Sequence, residues 1–92
     1  YRMKNSENIW GIRFSTEAAK EYARLPRNDG ERITAALDEL GRDPYHGDIK
    51  KIQGAEDIWR RRIGGYRVLY KPMKEIKTVL IIGIKRRTTT TY

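Results

Sequence analysis

Ninety-two residues, 38% hydrophobic and 35% charged, are enough for one domain around one core. With no cysteine, disulfide staples, zinc ribbons, iron–sulfur ligation and thiol catalysis are excluded. Twenty Lys and Arg against 12 Asp and Glu give a net charge of +8, unevenly spread: residues 1–48 carry 8 basic and 9 acidic groups, residues 49–92 carry 12 and 3. Such asymmetry builds a positive face, whose usual partners are polyanions or an acidic protein. The longest apolar run, 79–82, is too short to span a bilayer, and no signal-like segment opens the chain. The expectation is a soluble, cytoplasmic protein, a single domain over 1–92, with no membrane partner.

In chain order, Trp10, Ile12 and Phe14 alternate with Gly11, Arg13 and Ser15, the period of a half-buried strand. Ser15 or Thr16 caps a helix with Glu17 in its first turn; Ala18, Ala19, Tyr22 and Leu25 follow at helical spacing, and Pro26 ends it. Asn28 with Glu31 three residues later reads as a capping box for a second helix. Its apolar stripe is Ile33, Ala36, Leu37 and Leu40, and Gly41 supplies a stop. Residues 43–57 read as loop, with a short strand near Ile49 as an option. Two strand-like runs, 58–63 and 66–71, flank Gly64-Gly65, the signal of a two-residue hairpin. Residues 72–76 turn the chain into a third run, 77–85, whose nearly continuous apolar character suits a central strand. The expected class is α+β, in the order β-α-α-β-β-β: a twisted antiparallel sheet with a helical hairpin on one face.

The uncovered face then decides function. Arg60 and Arg62, two apart on one strand, project to the same side, and Arg67 across the hairpin joins them. In a regular meander Arg86 and Arg87 reach the same area. Clustered guanidiniums repel one another, an arrangement that makes sense where an anion sits among them, because the planar fork matches phosphate oxygens. Tyr66 and Tyr70, alternating with Arg67, are expected in the core, as is Trp10. His46 reads as a surface loop residue, and no His/Asp/Glu cluster has metal-ligand spacing, so neither metal nor cofactor is expected.

The run from Ile58 through Trp59, Arg60, Arg61, Arg62, Ile63, Gly64, Gly65, Tyr66, Arg67, Val68 and Leu69 to Tyr70 resembles the central signature of the RelE/ParE toxin superfamily. The close, Ile82-Gly83-Ile84-Lys85-Arg86-Arg87 followed by Tyr92, is similar to the C-terminal pattern of its RelE branch. Leu25-Pro26, Asp43-Pro44 and the stretch Lys50-Lys51-Ile52-Gln53-Gly54 are similar to earlier landmarks of the family. The resemblance implies a microbial-ribonuclease-like fold and the toxin of a type II toxin–antitoxin pair. It implies an mRNA interferase, a metal-independent endoribonuclease cutting mRNA in the ribosomal A site by attack of the 2′-hydroxyl, which leaves a 2′,3′-cyclic phosphate.

By that likeness Arg60 and Arg62 fall on the basic pair that activates the 2′-hydroxyl and holds phosphate. Arg67 falls on the arginine that stabilises the transition state, Arg86 on the one assisting the leaving group, and Tyr92 on the tyrosine that orients the mRNA. Lys50, Lys51, Arg61, Lys71, Lys85 and Arg87 are expected to track RNA or ribosome. The implied partners are the ribosome, mRNA and a cognate antitoxin with an acidic or amphipathic segment, in a hetero-oligomer. Where the best-known RelE has lysines, Arg60 and Arg62 stand here; arginine does not give up its proton, so their role is electrostatic and the general base is unassigned. Arg61 takes a position usually apolar and facing the helices; it calls for the sheet rim or for Asp38 or Glu39 as partner. The alternatives are a ParE-type inhibitor of DNA gyrase on the same fold, or a non-catalytic nucleic-acid-binding module.

Overall fold

The computed structural model describes residues 9–54 and 56–86. Alternation at the start of the chain produces β1 (Gly11–Phe14), with Trp10 and Ile12 buried and Phe14 half-buried. Ser15 is the N-cap of α1 (Thr16–Ala23), its Oγ accepting the Ala18 N–H at 3.1 Å. The second helix, α2 (Arg27–Arg42), departs from expectation at both ends. It begins after Pro26, which has extended geometry (φ −58°, ψ 154°) and no side-chain cap bond. Asn28 and Glu31 therefore lie inside the helix and form no capping box: proline, with φ already preset, starts the helix earlier. At the other end Gly41 stays helical and buried, and its carbonyl accepts the N–H groups of Ile9 and Trp10 at 3.1 and 2.8 Å. The stripe itself is as expected, with Ile33, Ala36, Leu37 and Leu40 all buried. Tyr22 donates to the Thr34 hydroxyl, and Thr34 donates to the Gly30 carbonyl at 2.7 Å, which ties the two helices together.

The short strand near Ile49 is real: β2 (Ile49–Lys51), followed by β3 (Trp59–Ile63), β4 (Tyr66–Met73), a 3₁₀ turn (Lys74–Ile76) and β5 (Thr78–Arg86). Pro72, read as turn, is the penultimate residue of β4, buried and opposite Val79. The sheet has five strands in the order β1-β5-β4-β3-β2, so β5 is internal as its apolar run implied. The α+β class stands, but the sheet is mixed and not antiparallel throughout, because β1 runs parallel to β5. The two helices between β1 and the rest of the sheet return the chain for that parallel pairing, whereas hairpins make the others antiparallel.

Residues with even numbers on β4 (Val68, Tyr70, Pro72) and odd numbers on β5 (Val79, Ile81) face the helices and, with Ile12, Ile33, Leu37 and Leu40, form the core. Among the described residues no helix lies on the opposite face of the sheet. β1 pairs with β5 only as far as Ile81; beyond it α1 takes over that edge, with Ser15 N–H bonded to the Ile81 carbonyl at 2.9 Å and Glu21 Oε1 accepting the Ile84 N–H at 2.7 Å. A strand edge left open would invite pairing with another chain; the helix closes it. Among the described residues no helix is long and apolar enough to cross a membrane.

An arginine-lined candidate site

In β3 the run Trp59-Arg60-Arg61-Arg62-Ile63 divides its side chains between the two faces by simple alternation. Register assigns the sides. Arg60 stands opposite Leu69 and Arg62 opposite Arg67, on the open face; Arg61 stands opposite buried Val68, on the helix face. The Arg62 N–H points away from β4, to the Asp48 carbonyl at 3.0 Å, so Arg62 and Arg67 form a non-hydrogen-bonded pair. Such pairs have Cα atoms roughly 4.5 Å apart, the closest approach an antiparallel ladder offers. The intervening turn is Gly64-Gly65, with positive φ (56°) at the first position only, as a type II′ turn requires. Among the described residues neither Arg62 nor Arg67 makes an ion pair.

Arg60 is held differently. Its side chain is only 13% exposed, and Nη1 is buried without a hydrogen-bond partner among the described residues; the Asp48 carboxylate lies 3.8 Å away, too far for a bond. Lys50 stands opposite Arg60 on the same face, and Lys71 projects there two residues beyond Leu69. The open face thus presents Lys50, Arg60, Arg62, Arg67 and Lys71, with Asp48 at its margin. Asp48 was not singled out from the sequence, because only the pairing of β2 with β3 brings it beside Arg60.

Four other expected residues stand apart from this cluster, three on the helix side and one, Lys85, with its charge engaged elsewhere. Arg61 Nη2 bonds Glu39 Oε1 of α2 at 2.6 Å and Nη1 bonds the His46 carbonyl at 3.3 Å, so it fastens a helix and a loop and is turned away from any ligand on the open face. Glu39 is one of the two partners its position called for. Lys51, opposite Trp59, lies on the helix side. Lys85 is opposite Arg67, but its ammonium is taken by Glu17 and by Glu21 (2.6 Å) of α1. Arg86 is opposite Tyr66, on the helix face, its Cζ 5.9 Å from the Tyr66 ring centre. The cause is a bulge: Tyr70 pairs with Ile81 but Leu69 with Gly83, so Ile82 is an extra residue in β5. One inserted residue reverses which side chains face which way. In a regular ladder Arg86 would share the face of Arg67. Arg87 and Tyr92 lie outside the described residues.

The Lys85 triad also makes a pH prediction. Burial acts to raise the Glu21 carboxyl, but the Ile84 N–H and the Lys85 ammonium outweigh it and hold the group below its ordinary 4.5. A depressed carboxyl contributes stability that is present above the ordinary value and is lost as pH falls through the lower, folded one. The thermal midpoint of the protein should therefore drop on acidification below about 4.5, and Glu21→Gln should lower the midpoint at neutral pH while flattening that drop.

A sheet face with clustered, unpaired guanidiniums can hold phosphate oxygens and stabilise charge that develops on them. Among the described residues there is no group of three or more His, Cys, Asp or Glu that could hold a metal ion.

Similarity to known proteins bears on the family and the fold. Residues 12–90 match the family described as the ParE toxin of the type II toxin–antitoxin system parDE. A protein from Methanocaldococcus jannaschii named as a toxin, RelE1, is 25% identical over 81 residues, which is 85% of this chain and 90% of its own length. Among solved structures, RelE in the archaeal RelE–RelB complex of Pyrococcus horikoshii superposes with a TM-score of 0.75 at 25% identity, covering 89% of this chain and 99% of that one. The RelBE2 toxin–antitoxin complex of Mycobacterium tuberculosis gives 0.75 at 27% identity, covering 87% and 99%. The isolated Escherichia coli RelE toxin gives 0.77 at 23% identity over 86% and 85%, a likeness of fold. With 79 of its 92 residues matched and its fold shared, this chain belongs to the ParE toxin family of type II toxin–antitoxin systems, within the RelE/ParE superfamily.

Proposed function

We propose that this toxin is a ribosome-dependent endoribonuclease of RelE type that inhibits translation by cutting mRNA in the A site. The observation that carries the reading is the Arg62–Arg67 pair, side by side and unpaired by acids among the described residues, with Arg60 on the same face. Like charges directly opposite destabilise a ladder, so this pair lowers stability unless an anion lies across it. In the proposed reaction the 2′-hydroxyl oxygen attacks the adjacent phosphorus and its proton passes to water. The bond from phosphorus to the 5′-oxygen breaks, that oxygen takes a proton from water, and a 2′,3′-cyclic phosphate remains. Arg62 and Arg67 hold the non-bridging oxygens as they gain charge; one such donor is worth about 3–4 kcal/mol in a preorganised site. Arg60 draws the phosphate inward, and Lys50 and Lys71 follow the RNA backbone on either side. Arg86 acts from the sheet's end.

Two of the relatives were solved with an antitoxin, and the partner proposed here is likewise an antitoxin in a toxin–antitoxin hetero-oligomer. An acidic or amphipathic segment that folds on the toxin suits a surface of net charge +8. A second reading, inhibition of DNA gyrase without RNA cleavage, is favoured by the ParE family match. Translation in vitro with purified ribosomes, followed by primer extension, separates them. Cuts within the A-site codon are expected, with gyrase supercoiling unaffected; gyrase inhibition without cuts selects the second reading, and salt-sensitive RNA binding with neither selects a non-catalytic module.

A further inference from the structure

Arg32 belongs to no motif described so far, yet the fold brings it to the site's edge. It lies in the second turn of α2, and its guanidinium rests on the hairpin that joins Arg62 to Arg67: a Cβ added at Gly64 would meet Arg32 Nη2 at 2.1 Å. Asp29, one turn earlier, is the nearby acid, but it accepts the Tyr66 hydroxyl at 3.0 Å. Among the described residues Arg32 has no ion-pair partner. Tyr66 in turn lies beneath Arg86, its cross-strand neighbour. Arg32, over Gly64, and Arg86, over Tyr66, therefore both lie on the helix side of the sheet's end, while Arg62 and Arg67 stand on the other side. Between the two pairs lies Gly64-Gly65; Arg32 lies over Gly64, whereas a Cβ on Gly65 would meet nothing within 4 Å among the described residues, so a ligand can cross the turn at Gly65.

We propose that Arg32 is an RNA-backbone contact, and that with Arg86 it receives phosphates next to those held by Arg62 and Arg67 as a single strand rounds the Gly64-Gly65 turn. The inference rests on the nucleic-acid reading given above and deepens it. Four guanidiniums then form a collar around the hairpin tip. Single-stranded RNA fits better than a duplex because a flexible backbone can bend over a sheet edge without unstacking a helix. The half-buried Tyr66 ring lies under Arg86, and its hydroxyl is held by Asp29 of the same helix turn that leads to Arg32.

The test is binding of a fluorescein-labelled single-stranded RNA, about ten nucleotides long, to the full chain by anisotropy across a salt series. For a single strand, removing one cation that neutralises a phosphate lowers the slope of log K against log salt by about 0.7. Arg32→Ala is expected to weaken binding several-fold and to lower the slope by that amount, as Arg67→Ala does, with an unchanged thermal midpoint. Arg42→Ala, at the far end of the same helix and paired with Asp38, should keep both at their original values. If Arg67→Ala weakens binding but Arg32→Ala changes neither affinity nor slope, the collar is wrong and the nuclease reading survives. If the unaltered protein shows no salt-dependent binding, or Arg67→Ala is without effect, the collar falls, and the ribosome-dependent nuclease reading stands or falls separately on the primer-extension assay. Loss of antitoxin binding alone in Arg32→Ala would assign the surface to a protein partner and overturn the proposal.

Discussion

Arg67→Ala should reduce A-site cleavage by about 10²–10³-fold while leaving the fold at least as stable as before. The first half follows from position. Arg67 faces Arg62 in a close, non-hydrogen-bonded pair, so the two guanidiniums can grip one phosphate together, and the remaining one cannot replace both. The second half follows from charge. Arg67 is exposed, makes no ion pair among the described residues and has Arg62 and Lys85 as its cross-strand neighbours. Removing it relieves repulsion, so the thermal midpoint should stay equal or rise. Primer extension on translated mRNA reads the activity and a melting curve reads the stability. A clear fall in midpoint would mean that Arg67 supports the sheet, and the loss of cleavage could then no longer be assigned to chemistry.

Tyr70→Ala should have the largest effect on stability, about 3–5 kcal/mol, against the 5–15 kcal/mol typical of whole domains. Tyr70 is fully buried at the centre of β4, opposite Trp59 on one side and Ile81 on the other. Its hydroxyl donates to the Pro44 carbonyl at 2.6 Å, and burial raises its pKa well above the ordinary value of 10.0, so the phenol remains a donor. That bond, with the Arg61 bond to the His46 carbonyl, fastens the loop between α2 and β2, which ends at Asp48 beside Arg60. Tyr70→Phe isolates the polar part: it keeps the ring, leaves the Pro44 carbonyl without its donor, and should lower stability by about 1–3 kcal/mol. Urea unfolding of the three proteins checks both values. A Phe variant as stable as the parent would show that the carbonyl finds another donor and that the loop does not depend on Tyr70.

How far the chain could be read in advance depended on the range of the interactions involved. The helix stripe from Ile33 to Leu40, the alternation of β3 and the Gly-Gly turn are patterns over a few residues, and each folded as its period dictates. The end of α2 misled because Gly41, a common stop, has its carbonyl occupied by Ile9 and Trp10 from a distant segment. The same holds for Pro72, read as a turn but accommodated in β4 opposite Val79.

The sequence by itself determined the basic half of the molecule, the α+β class, and the placing of Arg60, Arg62 and Arg67 on one face, since alternation across a two-residue turn leaves no other choice. Tertiary structure alone decided that β1 lies parallel to β5, that Arg61 is bound by Glu39, and that Asp48 and Arg32 border the site. It also decided the side taken by Arg86, through a single extra residue at Ile82. Such features arise from pairing between segments far apart in the chain, whose register no local period records.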